Sequence, residues 1–263
     1  MDLQLNGKTA LVTGGTAGIG LEIARSLAKE GARTVITGRS QDKLDEAIAD
    51  IRASGGTTIE GVVADVGTAE GAETLVAALP QVDILVNNLG IYEAKDFGDI
   101  TDADWTHLFE VNVMSGVRLS RAYLPGMLTR DWGRIIFISS ESGLSTPGEM
   151  VHYGMTKSAQ LAIARGLAQS TRGTRVTVNS VLPGPTRSPG VVDFLRSVAS
   201  DPAKSDAEIE KEFFAVHRSA SLLQRMLEAE EVANLVTYVA SPLSSGTNGA
   251  SLKVEGGLVN SIA

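Results

Sequence analysis

The chain contains no cysteine, which excludes disulfide bridges, thiolate metal sites and cysteine nucleophiles and fits a reducing compartment. Basic charge is also scarce. Lys and Arg total 23 against 31 Asp and Glu, a net charge of -8, and binding to the nucleic-acid backbone needs a clustered basic surface instead. No apolar run approaches the ~20 residues that span a bilayer. The start, Met1-Asp2-Leu3-Gln4-Leu5-Asn6-Gly7-Lys8, lacks the basic head and apolar stretch of a secretory signal. His107, His152 and His217 do not have zinc-ligand spacing, so no metal is expected. These deficits point to a soluble cytoplasmic protein with a small-molecule partner, and to neither nucleic acid nor membrane.

What is present suits one core. At 263 residues, 43% hydrophobic and 21% charged, the chain has ordinary globular composition and can bury most of its unfolded surface as a single domain. Thr9 to Val12 reads as a buried strand running into Thr13-Gly14-Gly15-Thr16-Ala17-Gly18-Ile19-Gly20, after which Leu21, Ile23, Ala24, Leu27 and Ala28 recur at helical spacing up to Gly31. The alternation continues. Further strands are expected at Thr34 to Thr37, Ile59 to Ala64, Val82 to Val86, Arg134 to Ile138, Arg175 to Val181 and Ala250 to Val254. Helices are expected at Gln41 to Ala53, Thr68 to Leu79, Asp104 to about Thr129, from Val151, and at Glu228 to Ala240. Seven strands without polar alternation, separated by helices, indicate a doubly wound α/β fold with a parallel sheet covered on both faces.

Two stretches carry chemistry. Glycines between a first strand and its helix let the backbone turn tightly and approach a phosphate, whose charge the helix N-terminus attracts. The triphosphate loop is excluded because Gly20 is followed by Leu21 and not by Lys and a hydroxyl residue. At the end of the second strand, where NAD-selective folds hold a carboxylate, the chain has Gly38-Arg39. A guanidinium there can pair with a 2'-phosphate, which favours NADP over NAD. The second stretch is Val151-His152-Tyr153-Gly154-Met155-Thr156-Lys157. Tyr153 and Lys157 lie one helical turn apart on one face, so the ammonium can lower the pKa of the phenol and ready it for proton transfer. The same spacing also occurs on helices where the lysine merely covers the ring.

Thr13-Gly14-x-x-x-Gly18-Ile19-Gly20, Asn87-Asn88-Leu89-Gly90, Ser140 ahead of Tyr153-x-x-x-Lys157, and Pro183-Gly184-x-Thr186 resemble, in order and spacing, the motifs of the short-chain dehydrogenase/reductases. The resemblance runs from Gly7 to Val254-Glu255-Gly256-Gly257 and implies a Rossmann sheet in a single domain over residues 1–263. It also implies roles. Tyr153 would be the general acid or base, Ser140 a donor to the carbonyl oxygen, Lys157 the holder of the nicotinamide ribose, and Asn112 the link from that lysine to a proton-supplying water chain. On the cofactor side, Gly14, Thr16, Gly18, Ile19 and Gly20 would surround the phosphates, Arg39 the 2'-phosphate, and Asp65 and Val66 the adenine. Asn88 would steady the central strands beside the cofactor, Thr186 after Pro183-Gly184 would contact the nicotinamide carboxamide, and Gly90, Tyr153 and Lys157 would complete the cofactor site. Leu89 departs from the family's usual alanine.

Residues 187–218 break the rhythm with Pro189 and Pro202 and place Phe194, Leu195, Phe213 and Phe214 among charges, which suggests a substrate lid. His152 and Glu141 flank the proposed catalytic residues and either contact substrate or face solvent. The expected function is NADP(H)-dependent hydride transfer between nicotinamide and a ketone or secondary alcohol. The alternatives are a 3-oxoacyl-thioester reductase specifically, or a catalytically silent NADP-sensing protein. By family analogy the chain is expected to form a homodimer or homotetramer. A serine hydrolase is set aside, because Gly143-Leu144-Ser145-Thr146-Pro147 ends in proline where the nucleophile turn requires glycine.

Overall fold

Alternate residues of the central strands enter opposite cores, and this makes the sheet two-sided. In the computed structural model, which describes residues 2–262, Ala10 and Val12 of β1 (Thr9–Val12) pack into one apolar cluster and Leu11 into another. Ile84 and Val86 divide from Leu85 in β4 (Ile84–Asn87) in the same way. The other strands are β2 (Arg33–Gly38), β3 (Ile59–Val63), β5 (Gly133–Ile138), β6 (Val176–Pro183) and β7 (Ser251–Val254). All pairings among them are parallel, in the order β3-β2-β1-β4-β5-β6-β7. The expected doubly wound sheet is observed, with strand ends one or two residues from those expected. Met1 and Ala263, the ends of the expected domain, lie outside the described residues.

Helices α1 (Gly18–Lys29), α2 (Gln41–Ala53) and α9 (Ala229–Ala240) cover one face, while α3 (Ala69–Ala78), α5 (Ser115–Thr129) and α6 (Val151–Gln169) cover the other. Each buries its apolar stripe. The single long helix expected from Asp104 to Thr129 is divided in the structure. Helix α4 (Asp102–Phe109), started by a Thr101–Asp104 capping box, passes through a π turn at Glu110–Met114 before α5 begins. Within that turn Asn112 holds the loop after β4, its side chain accepting from Ile91 N at 2.8 Å and donating to Ile91 O at 2.9 Å. A π turn re-aims a residue at the cost of helix regularity, and this one serves that long-range contact.

Residues 187–218 are folded. Helices α7 (Pro189–Val198) and α8 (Asp206–Val216) pack together through a separate small cluster of Leu195, Ile209, Phe213, Phe214 and Met226. Among the described residues, no helix is long and apolar enough to cross a membrane.

Candidate active site

The strand order reverses between β1 and β4, so the crevice for a ligand lies at their carboxyl ends. There Asn88 ties the two strands together. Its Nδ2 donates to Thr13 O at 2.9 Å and Gly14 O at 3.2 Å, and its backbone N donates to Thr13 Oγ1 at 3.0 Å. Gly14 takes φ of +64°, a conformation that favours glycine. At Gly20 a Cβ would fall 2.4 Å from both Asn88 Nδ2 and Gly14 O, so only glycine fits. The N-cap of α1 is Ala17, which offers no side-chain oxygen to the first-turn N–H groups. An uncapped helix start beneath a glycine turn suits a pyrophosphate, and these residues therefore fit a dinucleotide.

A cavity of about 390 Å³ opens from this turn. Its wall brings together Gly14, Gly18, Ile19, Gly20, Asn88 and Gly90 with Ser140, Tyr153, Lys157, Pro183, Gly184 and Thr186. Lys157 Nζ lies 5.5 Å from the Tyr153 ring centroid but donates elsewhere, to Ile138 O at 2.9 Å and Gln160 Oε1 at 3.3 Å. Ser140 follows β5, and its hydroxyl donates to Glu141 and accepts from Ser142 N at 3.1 Å.

Burial dominates the electrostatics here. It lowers the Lys157 ammonium to about 8, with the charge of Glu141 working in the opposite direction. It also raises the Tyr153 phenol well above its ordinary value. The charge of Glu141 adds to that rise, and a hydrogen bond with Ser140 opposes it. This corrects the expectation from spacing that Lys157 lowers the phenol: desolvation outweighs an ammonium whose bonds go to β5 and Gln160.

A model of the short chain dehydrogenase family matches residues 8–197. The chain belongs to that family. It is 48% identical over 263 residues, covering both chains completely, to the uncharacterized oxidoreductase YvaG of Bacillus subtilis (strain 168). It is 32% identical to the 3-oxoacyl-acyl-carrier-protein reductase of Escherichia coli (strain K12), covering 97% of this chain and 99% of the other. Among solved structures it resembles L-sorbose reductase from Gluconobacter frateurii, complexed with NADPH and L-sorbose, with a TM-score of 0.90 and 29% identity over the whole of both chains. The protein is thus a short-chain dehydrogenase/reductase and an oxidoreductase.

Five expected site residues of this dehydrogenase stand outside the cavity wall. Arg39 is exposed just beyond β2, near Thr16, whose Cγ2 lies 2.8 Å from where Gly38 would carry a Cβ. Asp65 is exposed and accepts from Gly67 N at 3.1 Å, and Val66 is buried in the core. Asn112 is buried behind the cavity. Neither His152 nor Glu141 faces solvent. His152 is fully buried against Trp105, whereas Glu141 lines the cavity.

Sequence reasoning does not single out Tyr92, Gln160 or Arg218. The Tyr92 ring stands edge-on to Tyr153 and to Phe194 of α7, at 6.3 and 5.8 Å between centroids. Arg218, 7% exposed, pairs with Glu141 at 3.5 Å and Glu149 at 3.4 Å, tying the end of the 187–218 segment to the Ser140 turn. Gln160 carries a signal, a polar residue one turn beyond Lys157 in a buried helix, but its partners are distant in sequence. Gly20→Ala tests the cradle. Overpacking of this kind costs about 1–3 kcal/mol, so affinity for a nicotinamide dinucleotide should fall about tenfold or more in a fluorescence titration, whereas unchanged affinity would mean the turn yields.

Proposed function

We propose that this dehydrogenase transfers hydride, with NADP(H) as cofactor, between the nicotinamide and a ketone or secondary alcohol. The observation that carries the reading is the meeting of Ser140, Tyr153 and Lys157 with the glycine turn and Thr186 in one cavity. Bound there, the cofactor supplies or accepts the hydride. Tyr153 holds the proton that the carbonyl oxygen takes up, and Ser140 exchanges its bond to Glu141 for one to the same oxygen. Lys157 keeps positive charge beneath the phenol, which favours the phenolate that proton donation leaves behind. The 187–218 segment acts as lid, with Phe194 and Phe213 as its apolar wall and Arg218 as its latch to Glu141.

A buried carboxylate in that wall accepts hydrogen bonds, which suits a carbonyl compound bearing hydroxyl groups better than a plain alkyl ketone. The choice over a 3-oxoacyl thioester rests on that carboxylate, because the chain is about as similar to a 3-oxoacyl-acyl-carrier-protein reductase as to an L-sorbose reductase. A panel of ketoses, 3-oxoacyl thioesters and alicyclic ketones, followed by NADPH oxidation, tests both. Turnover should be fastest with the hydroxylated ketones. Tight NADPH binding with no oxidation by any of them would instead indicate a silent sensor.

NADP preference rests on Arg39. Its exposure leaves the guanidinium available to a 2'-phosphate. Arg39→Asp should therefore weaken NADPH by about tenfold or more while sparing NADH, as expected on losing a charge-assisted hydrogen bond. Unaltered discrimination in kcat/KM would place phosphate recognition elsewhere. A cytoplasmic homodimer or homotetramer is the form we expect, to be read by light scattering.

A further inference from the structure

We infer that Gln160 is a positioning residue: its side-chain amide bridges the Lys157 ammonium to the main chain of the Asn112 π turn and so sets where that ammonium points. The inference rests on the proton-transfer reading of Tyr153 and Lys157. Gln160 is 1% exposed on α6, one turn beyond Lys157. Its Oε1 accepts from Lys157 Nζ at 3.3 Å, and its Nε2 donates to Asn112 O at 2.7 Å.

The orientation of the amide is forced by its partners. An ammonium only donates and a backbone carbonyl only accepts, so the amide oxygen must face Lys157 and its nitrogen Asn112. Asn112 is itself fixed by both bonds to Ile91 and by a third, from Nδ2 to Thr156 Oγ1 at 3.0 Å. The bridge therefore hangs from a rigid support. Lys157 has three N–H bonds. Two are used by Ile138 O and Gln160 Oε1, which leaves one for the cavity the lysine lines.

A second consequence is electrostatic. A buried ammonium resists charging, and each carbonyl dipole aimed at it restores part of what burial removes. Gln160 thus helps Lys157 stay cationic. The titratable groups acting on Lys157 are few. Tyr153 shares its helix, and Glu141 lies beyond β5 with Arg218 as its partner. On α4 and the π turn, Asp104 pairs with Lys95 and Glu110 with Arg118, so neither is turned to the ammonium.

The test reads the Lys157 titration directly, by NMR of protein labelled with carbon-13 lysine and without any substrate. Gln160→Met keeps the volume and removes both hydrogen bonds, and it should lower the Lys157 midpoint by about one pH unit. Gln160→Glu retains an acceptor towards the ammonium and should leave the midpoint at or above that of wild type. Equal midpoints in wild type and the Met variant would overturn the proposal, as would a fall in both variants. Should the Met variant not fold, wild type still decides: the Gln160 amide nitrogen resonance should shift with the Lys157 midpoint, and a flat response refutes the bridge. Turnover separates this inference from the one beneath it. If Tyr153→Phe kept its activity, the proton-transfer reading of Tyr153 and Lys157 would fail whatever the lysine titration showed.

Discussion

Tyr153→Phe should reduce carbonyl turnover by about a thousandfold, within the range that a positioned proton donor contributes, while NADPH binding changes by no more than a few-fold. The substitution keeps the ring that stands edge-on to Tyr92 and deletes only the hydroxyl, so packing and cavity shape are preserved. Because burial raises the phenol well above its ordinary value, Tyr153 stays protonated across the neutral range. It is then ready to donate, as reduction requires. Alcohol oxidation needs the opposite state, and its rate should climb with pH towards the alkaline side. Steady-state kinetics in both directions check the two claims. A variant retaining more than a tenth of wild-type turnover would remove Tyr153 from the acid role.

The parts of this fold that local spacing encodes are legible in the amino-acid sequence. Leu11 between Ala10 and Val12 shows no polar alternation because both faces of β1 are buried, and that absence alone signals a covered parallel strand. The Tyr153–Lys157 face is legible for a similar reason, since one turn of helix fixes it. What escapes depends on segments that meet only in three dimensions. Asn112 interrupts a helix whose periodicity continues through it, because its partner is Ile91 in another loop. The Glu141–Arg218 pair joins the Ser140 turn to the end of the 187–218 segment, and no pattern in either stretch announces the other. The sign of the tyrosine shift is hidden on the same account: spacing shows that an ammonium is near, but not where its N–H bonds go nor how dry the phenol is.

Lys157→Met should change how stability depends on pH. Folding lowers the ammonium from its ordinary 10.5 to about 8, so the unfolded chain binds this proton more tightly than the native one. At ~1.4 kcal/mol per pH unit, that costs the native state about 3 kcal/mol below pH 8. The cost is relieved as pH rises from 8 towards 10.5, because both states then lose the proton. Methionine escapes it but strands Ile138 O and Gln160 Oε1, at about 1–3 kcal/mol for a buried acceptor left unmade. Near pH 7 these effects roughly offset, and the variant should be about as stable as wild type. By about pH 10 wild type should have gained roughly 2 kcal/mol on the variant. Urea unfolding of the two proteins at both pH values measures this as a difference, in which titrations common to both cancel. A difference that stayed constant would mean that Lys157 is hydrated in the native state, and the buried ammonium at the floor of the cavity would have to be abandoned.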